Sequence, residues 1–375
     1  MKNAIKRFLL IIGLIIILLI IAAGIILASW YFSSNDTKVN PHLQAELWNA
    51  VTDDGHNFNT DLLLWNEYFY LIYQHSSTHF FDGDSRLVLL RSKDCKSWEI
   101  ISMIKYQELE FRDPKLAVIN KTLFLYALKN FTYDPEPSQT FYATSKDGFK
   151  WSDFNEIEPN GFLFWKPKTL DSLTWYNTAY WHEHGKSILL KSTNGINWET
   201  ISTIYEGETN DETALEILSD SKIIITARLE ADPAWHSGSK NASTLIAYSY
   251  PPYTEWTKTK SYLTRLDGPA LINLDDKIIA VGRFDPNGRD NWYGMSSIFG
   301  RKRTAIYAVD DDKLTLITLL PSCGDTSYPG VVEKDGYIYI SYYTNNETKD
   351  YPWIMGMYSH TYIKIAKVKI AFING

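Results

Sequence analysis

The sequence predicts an all-β chain folded as a six-bladed β-propeller and preceded by a single N-terminal transmembrane helix. Three observations lead there: an uncharged apolar run near the N-terminus, a composition weighted toward aromatic and β-branched residues, and a hairpin pattern that recurs six times.

The apolar run comes first in the chain. From Phe8 to Phe32 it reads FLLIIGLIIILLIIAAGIILASWYF, 25 residues without a charge. At about 1.5 Å per residue this length crosses a hydrocarbon core of about 30 Å. It exceeds the roughly 7–15 apolar residues of a cleaved signal, so an uncleaved anchor over residues 1–32 is expected. Lys2, Lys6 and Arg7 precede the run, which places the N-terminus in the cytoplasm and the following domain in the periplasm or outside the cell. The membrane is then a partner through this helix. Residues 33–44 read as a polar linker, and 45–375 as the propeller.

Composition narrows the fold of that larger part. Thirteen Trp, 25 Tyr and 17 Phe make the chain 15% aromatic, and Ile, Val, Thr and Tyr fill the short apolar runs, which suits pleated strands. A formal net charge of −7, with no basic cluster after the anchor, excludes nucleic acid as a partner. Two cysteines, Cys95 and Cys323, are too few for a disulfide framework.

The recurring unit is a polar or charged residue, a short apolar strand, a tight turn and a second strand. The six copies are DLLLWNEYFYLIYQH from Asp61, RDPKLAVINKTLFLYALKN from Arg112, KPKTLDSLTWYNTAYWH from Lys166, ETALEILSDSKIIITAR from Glu212, DGPALINLDDKIIAVGR from Asp267 and YPGVVEKDGYIYISYY from Tyr328. Their starts lie 51, 54, 46, 55 and 61 residues apart, the period of one four-stranded propeller blade. Either the segment from Ala45 to Asn59 or the C-terminal YIKIAKVKIAFI is expected to supply the strand that closes the last blade.

A third strand follows each hairpin, and in the first three units it ends in a related turn: RSKDCKSWE (Arg91 to Glu99), TSKDGFKWS (Thr144 to Ser152) and KSTNGINWE (Lys191 to Glu199). An Asp or Asn side chain can bond the turn backbone, Gly accepts the left-handed position, and Trp packs into the neighbouring sheet. These turns resemble the Asp boxes of the sialidase superfamily, one residue shorter than the usual form, and the chain from about Asn57 to Ile370 resembles the bacterial sialidase-like six-bladed propellers as a whole.

In a propeller the innermost strands meet at the axis, so the unit starts are expected to ring one mouth: Asp61, Arg112, Asp113, Lys166, Glu212, Asp267 and Tyr328, with His75, Arg228, Arg283 and Tyr343 behind them. Converging so many charges costs several kcal/mol each unless they are paired. The bland reading is a self-neutralising plug of ion pairs. The resemblance implies more. In sialidases a Glu opens the fourth blade, an Arg ends its second strand, and a Tyr opens the sixth. Glu212, Arg228 and Tyr328 stand in that order, which implies Tyr328 as nucleophile, Glu212 as its base partner and Arg228 as a clamp on a substrate carboxylate. A phenol needs such a base, because its ordinary pKa is near 10.

The family's first clamp arginine, in Phe/Tyr-Arg-Ile-Pro, has no counterpart in NTDLLLW; the nearest match, FRDP with Arg112, opens the second unit. For the fifth-blade clamp Arg303 and Arg283 compete. Asp113 and Asp61 are the candidates for general acid, with Asp134 on a loop after the second hairpin. Asp267 and Lys166 complete the expected substrate-binding set. The implied activity is a retaining exo-glycosidase acting on terminal acidic sugars of a glycoconjugate. A non-catalytic glycan-binding propeller is the alternative, as is a carboxylate-only enzyme of the arabinanase or fructan-active type, suggested by Arg-Asp-Pro at residues 112–114. No pair of histidines has zincin spacing, His182-Glu183-His184 reads as a solvated loop, and no phosphate-cradling glycine loop occurs, so neither a metal nor a cofactor is expected.

Overall fold

The structure, a computed structural model, describes residues 2–32, 45–80, 83–106, 109–131, 137–231, 238–289, 294–295 and 297–373. Lys2–Phe32 form one helix, of which Asn3–Ser29 are long and apolar enough to cross a membrane, a span that suits a transmembrane segment or a signal sequence equally. The expected linker, residues 33–44, lies outside the described residues.

The β unit consists of six antiparallel sheets. Blade one runs from the axis outward through His56–Trp65, Tyr68–Ser76, Arg86–Ser92 and Glu99–Ile104. Blades two, four and five repeat this order, beginning with Leu109–Ile119, Asn210–Ile217 and Ala270–Leu274. The six sheets match the six repeated units read from the sequence. In blade three the innermost strand is broken into Phe162–Phe164 and Lys168–Thr169, both paired with Trp175–Trp181. The break falls at Trp165-Lys166-Pro167, where proline has no N–H to give to a ladder.

Both ends of the β unit close the ring. Blade six is built from Ser327–Lys334, Tyr337–Thr344 and Tyr362–Lys369, and its outermost strand is Glu46–Val51 from the start of the unit. The two segments expected as alternatives for closure therefore lie side by side, with Trp48 opposite Ile365.

Apolar residues between neighbouring blades form the core. Tyr126, Phe164 and Trp198 make one such contact between blades two and three. The three related turns have the expected hydrogen bonds. Asp94 Oδ1 accepts from the backbone N–H groups of Lys96 and Ser97 at 2.8 Å, Asp147 Oδ1 from Phe149 and Lys150, and Asn194 Oδ1 from Ile196 and Asn197. Gly148 and Gly195 take positive φ, and Cys95 takes it at the matching place in blade one. Both cysteines are buried and free.

Candidate active site

Five of the six innermost strands turn the same way at the same point. In blades one, two, four and six the pairing register slips just past Phe58, Arg112, Asp211 and Ser327. The first residue after each slip has positive φ: Asn59 (51°), Asp113 (46°), Glu212 (28°) and Tyr328 (43°). Gly268 (59°) holds that place in blade five. Such bulges re-aim a side chain, and left-handed backbone costs a non-glycine residue about 1–2 kcal/mol. All four non-glycine residues line one cavity at the mouth of the propeller, with about 880 Å³ between its walls, solvent included. Left-handed backbone at four positions around a single cavity is what makes it the candidate site.

At its floor the Tyr328 hydroxyl donates a hydrogen bond to Glu212 Oε1. The other carboxylate oxygen accepts the Gly268 N–H at 2.7 Å, which fixes the plane of the group. Arg228 Nη1 lies 3.0 Å from Oε1. Tyr328 is only 9% exposed; burial first, then the Glu212 charge, raise its hydroxyl well above the ordinary value, while Arg228 and Arg283 pull it down. The phenol is therefore protonated at neutral pH, and Glu212 is placed to take the proton.

Blades four and five use one device to hold an arginine beside the mouth. The residue before each bulge position is an Asp, and the second strand returns an Arg to it. Arg228 Nε donates to Asp211 Oδ1 at 2.6 Å and its Nη2 to Oδ2; Arg283 Nη1 donates to Asp267 Oδ2 at 3.3 Å. Burial alone would lower the Arg228 guanidinium, but Asp211, Glu212 and Glu230 raise it well above its ordinary value. Arg283 lies between the rings of Tyr328 and Trp353, 5.2 and 4.7 Å from their centroids, and bonds the Tyr343 hydroxyl and Asp325 at 3.0 and 3.2 Å. Asp325 also meets His79 Nδ1 at 2.6 Å, His56 Nε2 at 3.1 Å and the Trp353 indole N–H at 2.8 Å.

Asp113 differs from its neighbours. Its Oδ1 is buried and has no hydrogen-bond partner among the described residues. Burial pushes its carboxyl up to about 6, with the Glu212 charge adding to the rise and Lys115 and Arg112 opposing it. A carboxyl of this kind can carry a proton near neutrality, which is what a general acid requires.

Of the expected site residues, Asp113, Arg112, Glu212, Arg228, Arg283 and Tyr328 line the cavity. Four others stand elsewhere. Asp61 lies two residues past the bulge position, so it faces down the axis, where Lys166 Nζ donates to it at 2.7 Å and the Leu116 N–H at 2.8 Å. It is not at the mouth, and neither is Lys166. Asp267 sits behind the wall and holds Arg265 as well as Arg283. Arg303 is buried against Asp350 at 2.8 Å and does not face the cavity; Arg265 does, clamped between Asp267 (2.7 Å) and Glu230 (2.8 Å). Asp134 falls outside the described residues. His184 corrects a further expectation: it lines the cavity, with Nδ1 3.3 Å from Asp211 Oδ2. Asn59, His79, Tyr180, Glu230 and Trp353 were not singled out by sequence as cavity residues. A partial signal was present, since Pro114 and Pro329 follow the bulge positions of blades two and six, Pro167 and Pro269 stand at the matching places in blades three and five, and Thr60 and Thr213 do so in blades one and four.

No protein-family model matches the chain, and no curated protein matches it by sequence. Solved structures do. The phage phi92 endosialidase superposes with a TM-score of 0.66 at 9% identity, over 88% of this chain and 69% of that one. Trypanosoma rangeli sialidase, in complex with sialic acid, gives 0.62 at 11% identity over 90% of this chain and 60% of its own. The fold is sialidase-like. A protein of unknown function from Dyadobacter fermentans shares it, with a TM-score of 0.63 at 16% identity over 86% of this chain and 99% of that one. The sialidase-like propeller spans only about three fifths of the trypanosomal enzyme, and identities this low carry the fold alone.

Proposed function

We propose that the cavity is the active site of a retaining exo-glycosidase of sialidase type, acting on terminal acidic sugars of glycoconjugates, with the apolar helix holding it at a membrane and the propeller outside the cytoplasm. The observation that carries this reading is the Tyr328–Glu212 hydrogen bond at the floor of a cavity ringed by arginines. Tyr328 Oη attacks the anomeric carbon while Glu212 takes its proton, and Asp113 protonates the departing glycosidic oxygen as that bond breaks. Water then attacks the anomeric carbon of the aryl glycoside so formed, with Asp113 as base; the bond to Tyr328 Oη breaks and the departing phenolate regains its proton from Glu212. Two displacements at one carbon retain its configuration. The test is turnover of a fluorogenic sialoside by the full-length chain in detergent, and its loss in Tyr328→Phe. Absence of turnover across sialosides and neutral glycosides alike overturns the enzymatic reading.

One observation favours a second reading, glycan binding without a carboxylate clamp. Each cavity-facing guanidinium already meets a carboxylate of the protein: Arg112 with Glu110, Arg228 with Asp211, Arg265 with Asp267 and Glu230, Arg283 with Asp267 and Asp325. A substrate carboxylate has to share these forks rather than find a free one. Binding of neutral glycans with no hydrolysis is the outcome that selects this reading.

A further inference from the structure

His79 lines the mouth cavity from the connection after the second strand of blade one, and the chemistry proposed above makes no use of it. Its backbone carbonyl accepts from Arg112 Nη2 of blade two at 3.4 Å, and its N–H is held by the Met357 carbonyl at 2.9 Å. Its ring Nδ1 meets Asp325 Oδ2 at 2.6 Å. The same oxygen receives His56 Nε2 at 3.1 Å, while Oδ1 accepts from Arg283, Tyr343 and Trp353. Burial alone would raise Asp325, but the two histidines and Arg283 hold it well below the usual carboxylate range. An ionised carboxylate only accepts, so the ring proton of His79 sits on Nδ1 and Nε2 keeps the lone pair. The His79 side chain is 19% exposed, whereas that of Asp325 is wholly buried behind it. Nε2 therefore opens on the cavity, and it has no hydrogen-bond partner among the described residues.

The wall around it mostly donates. Arg112, Arg228, Arg265 and Arg283 face the cavity, and a guanidinium cannot accept. Glu212 and Glu230 are already engaged by Tyr328, Gly268, Arg228 and Arg265. A sugar hydroxyl has a hydrogen to give as well as lone pairs to receive, and burying that hydrogen unpaired is costly. Burial lowers the His79 imidazole; Asp325 opposes this, while Arg112 and His56 add to the lowering. The neighbouring helix Trp353–Met357 carries no charged side chain, so at neutral pH the ring is an uncharged acceptor. We propose that His79 is a ligand-binding residue whose Nε2, aimed by Asp325, accepts the hydrogen of a hydroxyl group on the bound glycan. This rests on the reading of the mouth as a glycan site, which the hydrolytic and the binding-only alternatives share. It also narrows the ligand class: the sugar carries a free hydroxyl where it meets the His79 wall, because an O-alkylated or O-acylated position has no hydrogen to give. Asp325 is a positioning residue that acts through the ring.

The experiment titrates the full-length chain in detergent with free sialic acid, and with lactose as a neutral counterpart, by calorimetry; whichever sugar binds the wild type is carried through. His79→Phe keeps a ring against Phe58, 5.2 Å from the present one, and removes the acceptor. Its Kd should rise by about 3–10-fold at neutral pH. His79→Gln keeps an acceptor oxygen that does not titrate, and should lose less. Acidification protonates Nε2 and turns the acceptor into a donor, so between about pH 7.5 and about pH 5.5 the wild-type Kd should rise relative to that of His79→Gln. A relative fall means that the imidazolium holds an acceptor of the sugar instead, and the hydroxyl contact is overturned. Diethyl pyrocarbonate, followed by peptide mass mapping, should label His79 and not the buried His56, and the bound sugar should slow the labelling. An equal rate with and without sugar overturns the contact. If the wild type binds and His79→Phe binds with the same Kd, the proposal falls while the glycan reading stands; if the wild type binds neither sugar, both fall. Should His79→Phe fail to fold by circular dichroism, His79→Gln and the labelling decide in the same terms.

Discussion

Tyr328 and Glu212 are 116 residues apart in sequence, in blades six and four, and the hydroxyl of one donates directly to the carboxylate of the other. Neither side chain reaches the other from a regular strand. Both do so from a left-handed bulge, with the Gly268 N–H holding the carboxylate in place.

Removing the phenol oxygen tests that pair most directly. Tyr328→Phe keeps the ring that packs between Arg283 and the blade, so the fold should persist with an unchanged circular dichroism spectrum. Turnover of a fluorogenic sialoside should drop by about 10³-fold or more, as expected when a nucleophile is deleted.

Glu212→Gln retains an oxygen for the Gly268 N–H and loses the base. We expect kcat to fall by about 10²–10⁴-fold with little change in KM, read from steady-state kinetics on the same substrate. An unchanged kcat would remove Glu212 from the reaction.

Asp113 sets the pH dependence. Its carboxyl titrates at about 6 in the fold against an ordinary 3.8, so between these values the folded chain binds the extra proton. Its contribution to stability is complete below about pH 4 and is lost as pH rises through about 6. On the proposed mechanism the acid form is the one that protonates the leaving group, so kcat/KM should decline above about pH 6. In Asp113→Asn that limb should flatten, and the loss of rate should be larger for alkyl glycosides than for aryl glycosides, whose leaving groups need no proton.

Gly268 offers a steric test. A Cβ there would lie 2.6 Å from Cγ of Tyr328, on a residue with φ of +59°. Gly268→Ala should therefore destabilise the protein by about 1–3 kcal/mol and displace the Tyr328 ring from Glu212. Denaturant unfolding and sialoside turnover should fall together.

Arg228 neutralises Asp211 and touches Glu212. Arg228→Met leaves two buried carboxylates without their shared cation, and a loss of about 3–5 kcal/mol is expected on urea unfolding. Arg228→Lys should recover only part of this, because an ammonium cannot fork across Asp211.

The hairpins that make the blades were legible because each repeats an apolar strand, a tight turn and a second strand, and the order of Glu212, Arg228 and Tyr328 could be read along them. What sequence left open was phase. Asp61 and Asn59 differ by two positions, and in a regular strand they would share a face; the bulge between them sends Asn59 to the mouth and Asp61 down the axis. No side-chain pattern encodes a bulge, although the prolines at four of the six matching places in the repeated units hint at it. Arg303 looked suitable from its distance to Tyr328 along the chain, yet it opens a third strand, away from the axis, and Arg265 reaches the cavity from the segment before the innermost strand. His79, Asp325 and Trp353 come from connections between strands, where periodicity gives no bearing on direction.

The closure of blade six has a consequence in time. Glu46–Val51 is among the first parts of the propeller to leave the ribosome, yet its partner, Tyr362–Lys369, is among the last. The earliest strand must therefore wait, unpaired, through the synthesis of about 310 intervening residues, roughly 15–60 s at 5–20 residues per second. Until that pairing the nascent ring has two open edges, each a template for another chain. Truncation only a few residues short of the C-terminal strand should thus harm blade one's neighbour and the ring as a whole, not simply remove an end.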